Sequence, residues 1–301
     1  MVQRARSNQL NSLLRRTIVW CGVALFFQIY PVRAQAPTYK DIVYATVDGK
    51  DLKLDIYLPA GVKAPLLVVW VHGGAWRSGS KENVPKIFSQ RGIAIASLDF
   101  RQSTEARFPA AIHDIKAAIR FLRAKASQYG YKSSRIAIGG ASSGGHLAAL
   151  VGLSNGNADL EGTVGDFTKT SSRVDAILDY FGASNLTDIL GQSTPYGLSV
   201  RTPALELLLG GLPQAVPSLA KLASPVFYVD KSDPPLLIFH GDRDPQMPID
   251  QSYELEDKYK KLNMDVHLEV LNGATHGGDV FFSGPRLKLA LDFLSRTLNT
   301  K

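Results

Sequence analysis

Six short apolar runs recur along this chain, and each is followed by a helix-patterned or polar stretch: Leu66 to Val71, Ile93 to Leu98, Arg135 to Ile138, Val174 to Tyr180, Leu236 to Phe239, and Val266 to Leu271. A run apolar at every position suits a strand buried on both faces, which is what a parallel sheet covered by helices requires. The segments between them carry the complementary period. Ile112, Ile115, Ile119 and Leu122 recur at three- and four-residue steps, with Gly130 closing the segment. Leu255, Tyr259 and Leu262 repeat that spacing, flanked by the i,i+4 pairs Glu254/Lys258 and Glu256/Lys260, and Leu287, Leu291, Leu294 and Leu298 form a last stripe starting at Pro285. These stripes read as core faces. Ahead of the alternation, Ile42 to Val47 and Leu52 to Leu58 flank Asp48-Gly49, which predicts a tight hairpin and an antiparallel edge.

Two stretches break the pattern. Ser154 to Ser172 is rich in Gly, Asn, Thr and Ser and reads as a surface excursion. Leu186 to Lys231 holds Pro195, Pro203, Pro213, Pro217 and Pro225 around the apolar run Ala204 to Leu209. An insertion of that length between two strands reads as a cap over a site (residues 186–231) rather than a structureless loop. Leu205, Leu207, Leu208 and Leu209 then either line a pocket or pack the cap onto the domain.

The 301 residues suffice for one large α/β domain, and 45% apolar with 20% charged residues is ordinary for a globular chain. The net charge of +7 is misleading. Arg4, Arg6, Arg15, Arg16 and Arg33 lie in an acid-free start, and without those five positives the remainder carries +2. That leaves no electrostatic footprint for nucleic acid. The same start has a basic section ending at Arg15-Arg16, an apolar run from Thr17 to Tyr30 and small residues after it, so residues 1–34 read as a secretory signal peptide. The domain is then 35–301, with cleavage after Ala34 or Ala36 and a secreted or periplasmic destination. About 14 apolar residues fall short of the roughly 20 that span a bilayer, so no stable membrane insertion is expected after cleavage, against the alternative of a retained anchor. Arg15-Arg16 also offers a twin-arginine signal, with a poor fit after it. Cys21, the only cysteine, lies inside this segment behind the large Trp20, which argues against a lipid-modified cysteine. No disulfide framework follows.

Gly140-Ala141-Ser142-Ser143-Gly144-Gly145 directly follows one apolar run and directly precedes a helix-prone stretch. A serine on such a strand-to-helix turn is exposed by a strained backbone, so Ser142 is the candidate nucleophile; Ser143 competes, but Gly140 and Gly144 bracket Ser142 symmetrically. Acyl transfer also needs preorganised N–H donors. His72-Gly73-Gly74-Ala75-Trp76 follows the run Leu66 to Val71, and the donors are assigned to Gly74, Ala75 and Ser143, with Gly73 able to replace one of them. A serine hydroxyl needs a base, and the base an orienting acid. Of the six histidines, His276 in the glycine loop after Val266 to Leu271 is the candidate base. Phe239-His240-Gly241-Asp242-Arg243-Asp244 offers two acids, with Asp244 preferred and Asp242 read as capping the turn. His72 and His240 read as structural donors near the site, and His113 and His146 fall on helices. No histidine pair has zinc-ligand spacing, and Asp159, Asp166, Asp230 and Asp233 form no calcium loop. Neither a metal nor a cofactor is expected.

With these motifs in place, the chain resembles the esterase/lipase branch of the α/β-hydrolases that carries a His-Gly-Gly-x-Trp oxyanion motif, and is similar to secreted feruloyl and acetyl-xylan esterases, with relatives among carboxylesterases and arylformamidases. His72 to Trp76, Asp99-Phe100-Arg101, Phe108-Pro109-Ala110, Gly140 to Ala148, Ala223-Ser224-Pro225, Asp233-Pro234-Pro235, His240 to Asp244 and Gly273 to Gly277 carry the likeness. It implies an α/β-hydrolase fold with a mostly parallel sheet, and a serine carboxylesterase acting on a small or polysaccharide-linked ester. Lipase, arylformamidase, serine peptidase and a non-catalytic binding protein on this fold are the alternatives. Two positions depart from the family: Ser143 stands where alanine is usual, and Met247-Pro248 where Val-Pro often follows the acid.

Overall fold

The computed structural model describes residues 35–299; the expected signal segment lies outside the described residues. Eight strands form one sheet in the order β1-β2-β4-β3-β5-β6-β7-β8. They are β1 (Tyr39–Val47), β2 (Lys50–Tyr57), β3 (Leu67–Val71), β4 (Ala94–Leu98), β5 (Ile136–Ala141), β6 (Ala176–Tyr180), β7 (Leu236–Gly241) and β8 (Val266–Leu271). β1 pairs with β2, and β2 with β4, in antiparallel register, while all pairs from β4 to β8 are parallel. The hairpin turns at Asp48 and Gly49, both with positive φ (50° and 79°), as a two-residue turn matched to strand twist demands.

Every residue of β3, β4 and β6 is buried, and alternate residues feed opposite faces. Leu67, Val69 and Val71 pack with Ile112, Ile115 and Ile119, whereas Val68 and Trp70 pack with Leu287, Leu294 and Leu298. The strand β8 is the exception. Its residues are mostly half-buried or exposed because it closes the sheet edge, and polar His267 and Glu269 alternate with Val266, Leu268 and Val270 along it. Of the two expected surface pairs, Glu256 does meet Lys260 at 2.8 Å, but Glu254 accepts instead from Asn185 at 3.0 Å.

The stretch 154–172 is more than a surface excursion. Its short helix Ala158–Glu161 delivers Glu161 to Lys116 at 3.0 Å and Arg120 at 2.6 Å, two cations buried on the helix Ala110–Ala124. Burying either cation without a partner would be costly, so the excursion is pinned. Residues 186–231 fold into the helices Ile189–Gln192, Pro195–Leu209 and Pro217–Leu222. Pro195 and Pro217 open helices, where a missing N–H costs nothing. Leu205, Leu208 and Leu209 are buried in the core and Leu207 is exposed, so none of the four lines a pocket, and packing is their role.

Candidate active site

The parallel strands β3, β5, β7 and β8 all end at one edge of the sheet, which brings loops distant in sequence together. β5 ends at Ala141, and the helix Ser143–Leu153 starts two residues later. Ser142 sits between them with φ 57° and ψ −124°, a conformation strained for any residue with a Cβ. The turn is held on both sides. Ser142 N–H donates to Tyr180 O at 2.9 Å, and Ser142 O accepts from His146 N–H at 3.1 Å.

The loops after β7 and β8 supply Asp244 and His276. Ser142 Oγ lies 2.9 Å from His276 Nε2, and His276 Nδ1 lies 2.5 Å from Asp244 Oδ2. An ionised carboxylate only accepts, so Nδ1 carries the ring proton and Nε2 is left as the acceptor for the serine hydroxyl. The other Asp244 oxygen accepts the amides of Gln246 and Met247, each at 2.8 Å. Burial alone would raise the Asp244 carboxyl, yet His240 Nε2 at 3.6 Å, the His276 hydrogen bond and the Met247 amide together hold it well below the usual carboxylate range. The carboxylate therefore stays charged across the whole neutral range.

Asp242 does accept a backbone N–H, but from Gly273 at 2.6 Å, so it ties the acid loop to the histidine loop instead of capping its own turn. His240 is buried, with Nε2 donating to Met247 O at 3.0 Å and Nδ1 receiving Ser252 Oγ at 2.6 Å. His72 Nδ1 donates to Gly73 O at 2.8 Å, and its ring stacks on Phe100 at 4.5 Å. His146 accepts from Trp76 Nε1 at 2.9 Å and donates from Nε2 to Ala223 O at 2.7 Å; burial pushes it down to about 4, so it remains neutral. Trp76 and Ala223, both in the motifs singled out above, thus anchor two loops to one ring.

After β3 the chain turns sharply through Gly74, Ala75 and Trp76, all with positive φ (126°, 51° and 61°), closed by Arg77 and Ser78 amides on Gly74 O. Among the described residues, the N–H groups of Gly74, Ala75 and Ser143 have no protein acceptor, and neither has that of Gly73. All four residues line the same cleft as Ser142 and His276. Gly73 must be glycine, since a Cβ there would stand 2.7 Å from Ala141 O. Free donors beside a serine paired to a histidine can receive negative charge as it develops on a substrate oxygen.

The cleft holds about 350 Å³. Several of its walls escaped the sequence reading. Phe181, just beyond β6, has φ 46° and sets its ring edge-on to His276 at 4.7 Å; its place past a strand at the active edge was the available signal. Val200, Arg201 and Ala204 come from the helix Pro195–Leu209, and Gln246 and Met247 from the acid loop. Among the described residues, no cluster of three metal-ligating side chains occurs, and no helix is long and apolar enough to cross a membrane.

With this geometry in hand, the family follows from one comparison: the BD-FAE family model matches residues 54–259, from β2 into the helix Asp250–Lys261. The chain belongs to the BD-FAE family. Its fold is that of the α/β-hydrolases. Among solved structures, this BD-FAE chain is similar to a truncated carbohydrate esterase from gut microbiota, with a TM-score of 0.78, 32% identity and coverage of 87% of this chain and 96% of that one. Propionate-bound esterase Est2 of Thermogutta terrifontis has a TM-score of 0.68 at 30% identity, covering 86% and 94%. Esterase LipC of Mycobacterium tuberculosis is 31% identical over 72% of this chain and 54% of its own length. The chain thus spans about half the length of the curated relatives it matches.

Proposed function

We propose that this chain is a serine carboxylesterase that hydrolyses short-chain or aryl carboxylic esters through an acyl-enzyme on Ser142. The observation that carries the reading is the Ser142–His276–Asp244 relay at 2.9 and 2.5 Å beside unpaired N–H donors. In this reaction Ser142 Oγ attacks the acyl carbon as its proton passes to His276 Nε2. The carbonyl electron pair moves onto oxygen, where the Ser143 amide and those of Gly74 and Ala75, or Gly73, receive the charge. Collapse expels the alcohol oxygen, which takes the proton from His276 Nε2. Water then repeats the sequence on the acyl-enzyme and releases the acid, while Asp244 stays ionised throughout. The relatives' names, esterase and carbohydrate esterase, agree with this chemistry.

As natural substrate we propose acetyl or feruloyl groups on plant polysaccharide, met outside the cytoplasm after removal of residues 1–34. Support comes from the name of the carbohydrate esterase relative and from the basic-then-apolar start of the chain. Turnover of p-nitrophenyl acetate and butyrate, labelling by a fluorophosphonate, and loss of both in Ser142→Ala by several orders of magnitude test the reaction. An alanine variant with comparable turnover would overturn it. A panel of acetylated xylan, methyl ferulate, N-formylkynurenine and p-nitrophenyl esters of rising length tests the substrate; an optimum at long acyl chains or a preference for the formamide would reject it. N-terminal sequencing of the exported chain is expected to begin at Gln35.

A further inference from the structure

The cleft that holds Ser142 is lined by two guanidinium groups, Arg77 and Arg201, and by no carboxylate. Neither arginine forms an ion pair among the described residues. Arg201 is the unusual one, projecting from the helix Pro195–Leu209 with only 4% of its surface exposed. Its partners are weak for a charge so buried. Nε donates to Ser193 Oγ at 3.1 Å, and Nη1 points at the thioether of Met247 at 3.3 Å. Nη2 has no protein acceptor and is not sealed from solvent, and Arg201 is among the residues that line the cleft.

An arginine cannot shed its proton to escape burial, so a cation in this position keeps a desolvation penalty that an anion would offset. Burial brings Arg201 down to about 10, with the charge of Asp244 acting the other way. Asp244 is not its direct partner: Arg201 donates to Ser193 and Met247, while Asp244 accepts from His276 and from the Gln246 and Met247 amides. Nη2 is therefore the one guanidinium nitrogen with no protein partner. A planar fork with a free N–H at the wall of a pocket suits a carboxylate better than a neutral oxygen. A second, wider cleft of about 580 Å³, walled by Trp70, Val84, Ile87, Asp279 and Phe282, touches the first at Gly73 and Ala141. Its lining combines one cation, Lys86, with one carboxylate, Asp279, whereas the Ser142 cleft has two cations and no carboxylate in its lining.

We propose that Arg201, assisted by Arg77, is a specificity-determining residue that binds a carboxylate carried by the ester substrate, on its acyl or its alcohol part. The inference rests on the esterase reading above and deepens it. Acidic sugars in a polysaccharide would present such a group on the alcohol side, and dicarboxylic half-esters on the acyl side.

The test has two arms. The acyl arm compares 4-nitrophenyl hemiglutarate with its methyl ester, and the alcohol arm compares 4-acetoxybenzoate with its methyl ester. In one of the arms the ratio of kcat/KM for anionic over neutral substrate is expected to fall at least tenfold in Arg201→Met and to be partly restored in Arg201→Lys. The arm that responds identifies which part of the substrate carries the charge. A purely structural tie between the helix and Met247 would change both members of a pair together, so an unchanged ratio in both arms overturns the proposal. Should Arg201→Met fail to fold, inhibition of the wild-type enzyme is decisive: free glutarate or 4-hydroxybenzoate should compete at least tenfold better than its methyl ester, and equal inhibition overturns the proposal. Hydrolysis of the neutral esters by wild type, and its loss in Ser142→Ala, reports on the esterase reading separately.

Discussion

The elbow at Ser142 is held in place by contacts that leave no room for a single methyl group. Gly144 is the second residue of the helix Ser143–Leu153, and a Cβ built there would stand 2.1 Å from Val71 O and 2.6 Å from His72 O. Both are backbone atoms, so neither can rotate away. Gly144→Ala must push the start of the helix off β3, by roughly the 1 Å that is enough to cost on the order of 10²-fold when reacting groups are misplaced. Overpacking of this kind costs about 1–3 kcal/mol, which for a domain of this size lowers Tm by roughly 2–12 °C. Gly152 supplies the control on the same helix. A Cβ there meets Ile177 Cδ1 at 2.4 Å and Cγ1 at 2.6 Å, a side chain that can shift where backbone cannot, and alanine gains up to about 1 kcal/mol of helix propensity. The assay is kcat/KM on p-nitrophenyl acetate together with Tm by calorimetry. Gly144→Ala should lose at least about 10²-fold in rate, and Gly152→Ala should keep its rate with a smaller change in Tm. If Gly144→Ala retains its rate, or if both variants fail equally, the steric account of the elbow is wrong.

Asp244→Asn should lower kcat on the order of 10⁴-fold with little change in KM, because the side chain orients His276 without lining the cleft; steady-state kinetics showing a loss below about tenfold would contradict the relay. The sign of the pH effect at Asp179 is the reverse of the usual carboxylate case. Burial pushes this carboxyl up to about 7, against the Gly182 amide and the nearby His240 imidazole. The folded state then holds a proton that the unfolded state releases, so the stability from this group is full below the ordinary carboxylate range and is lost as pH rises towards about 7. Thermal unfolding should therefore show Asp179→Asn gaining on wild type between about pH 4 and 7 and holding a constant difference above that. A difference independent of pH would mean that the group is ionised in the fold at all these values.

The sheet was legible because its inner strands, such as β3, β4 and β6, are buried on both faces, and unbroken apolar runs have few other uses. Less legible was the internal structure of the insertion between β6 and β7. Five prolines in 186–231 hid its helices, although Pro195, Pro217 and Pro225 each stand at the start of a helical turn, and Thr194 caps the first of these helices by accepting from Gly197 N–H at 3.0 Å. Only Pro203 lies inside a helix, where it removes one backbone donor. Periodicity could not separate the leucines that hold this insertion down from residues that face the cleft, since Ala204 and Leu205 are adjacent in sequence and only Ala204 lines the cleft.

The placement of Ser142, Asp244 and His276 was legible for a different reason, which is that the requirement is topological. In the strand order β3-β5-β6-β7-β8, the serine leaves β5, the acid β7 and the histidine β8, so β6 must intervene between the serine strand and the acid strand. A relay across that gap works only if the residue just past β6 leaves room for the imidazole. Phe181 does so by taking a positive φ, which swings its ring beside His276 instead of across it. That constraint has no sequence signature of its own, because a phenylalanine after a buried strand looks like one more core residue. Arg201 was invisible for a related reason. Charge at one position of a proline-rich insertion reads as a solvated surface, and only the fold reveals that the helix turns this residue inward, against Met247 and with no ion pair to a carboxylate.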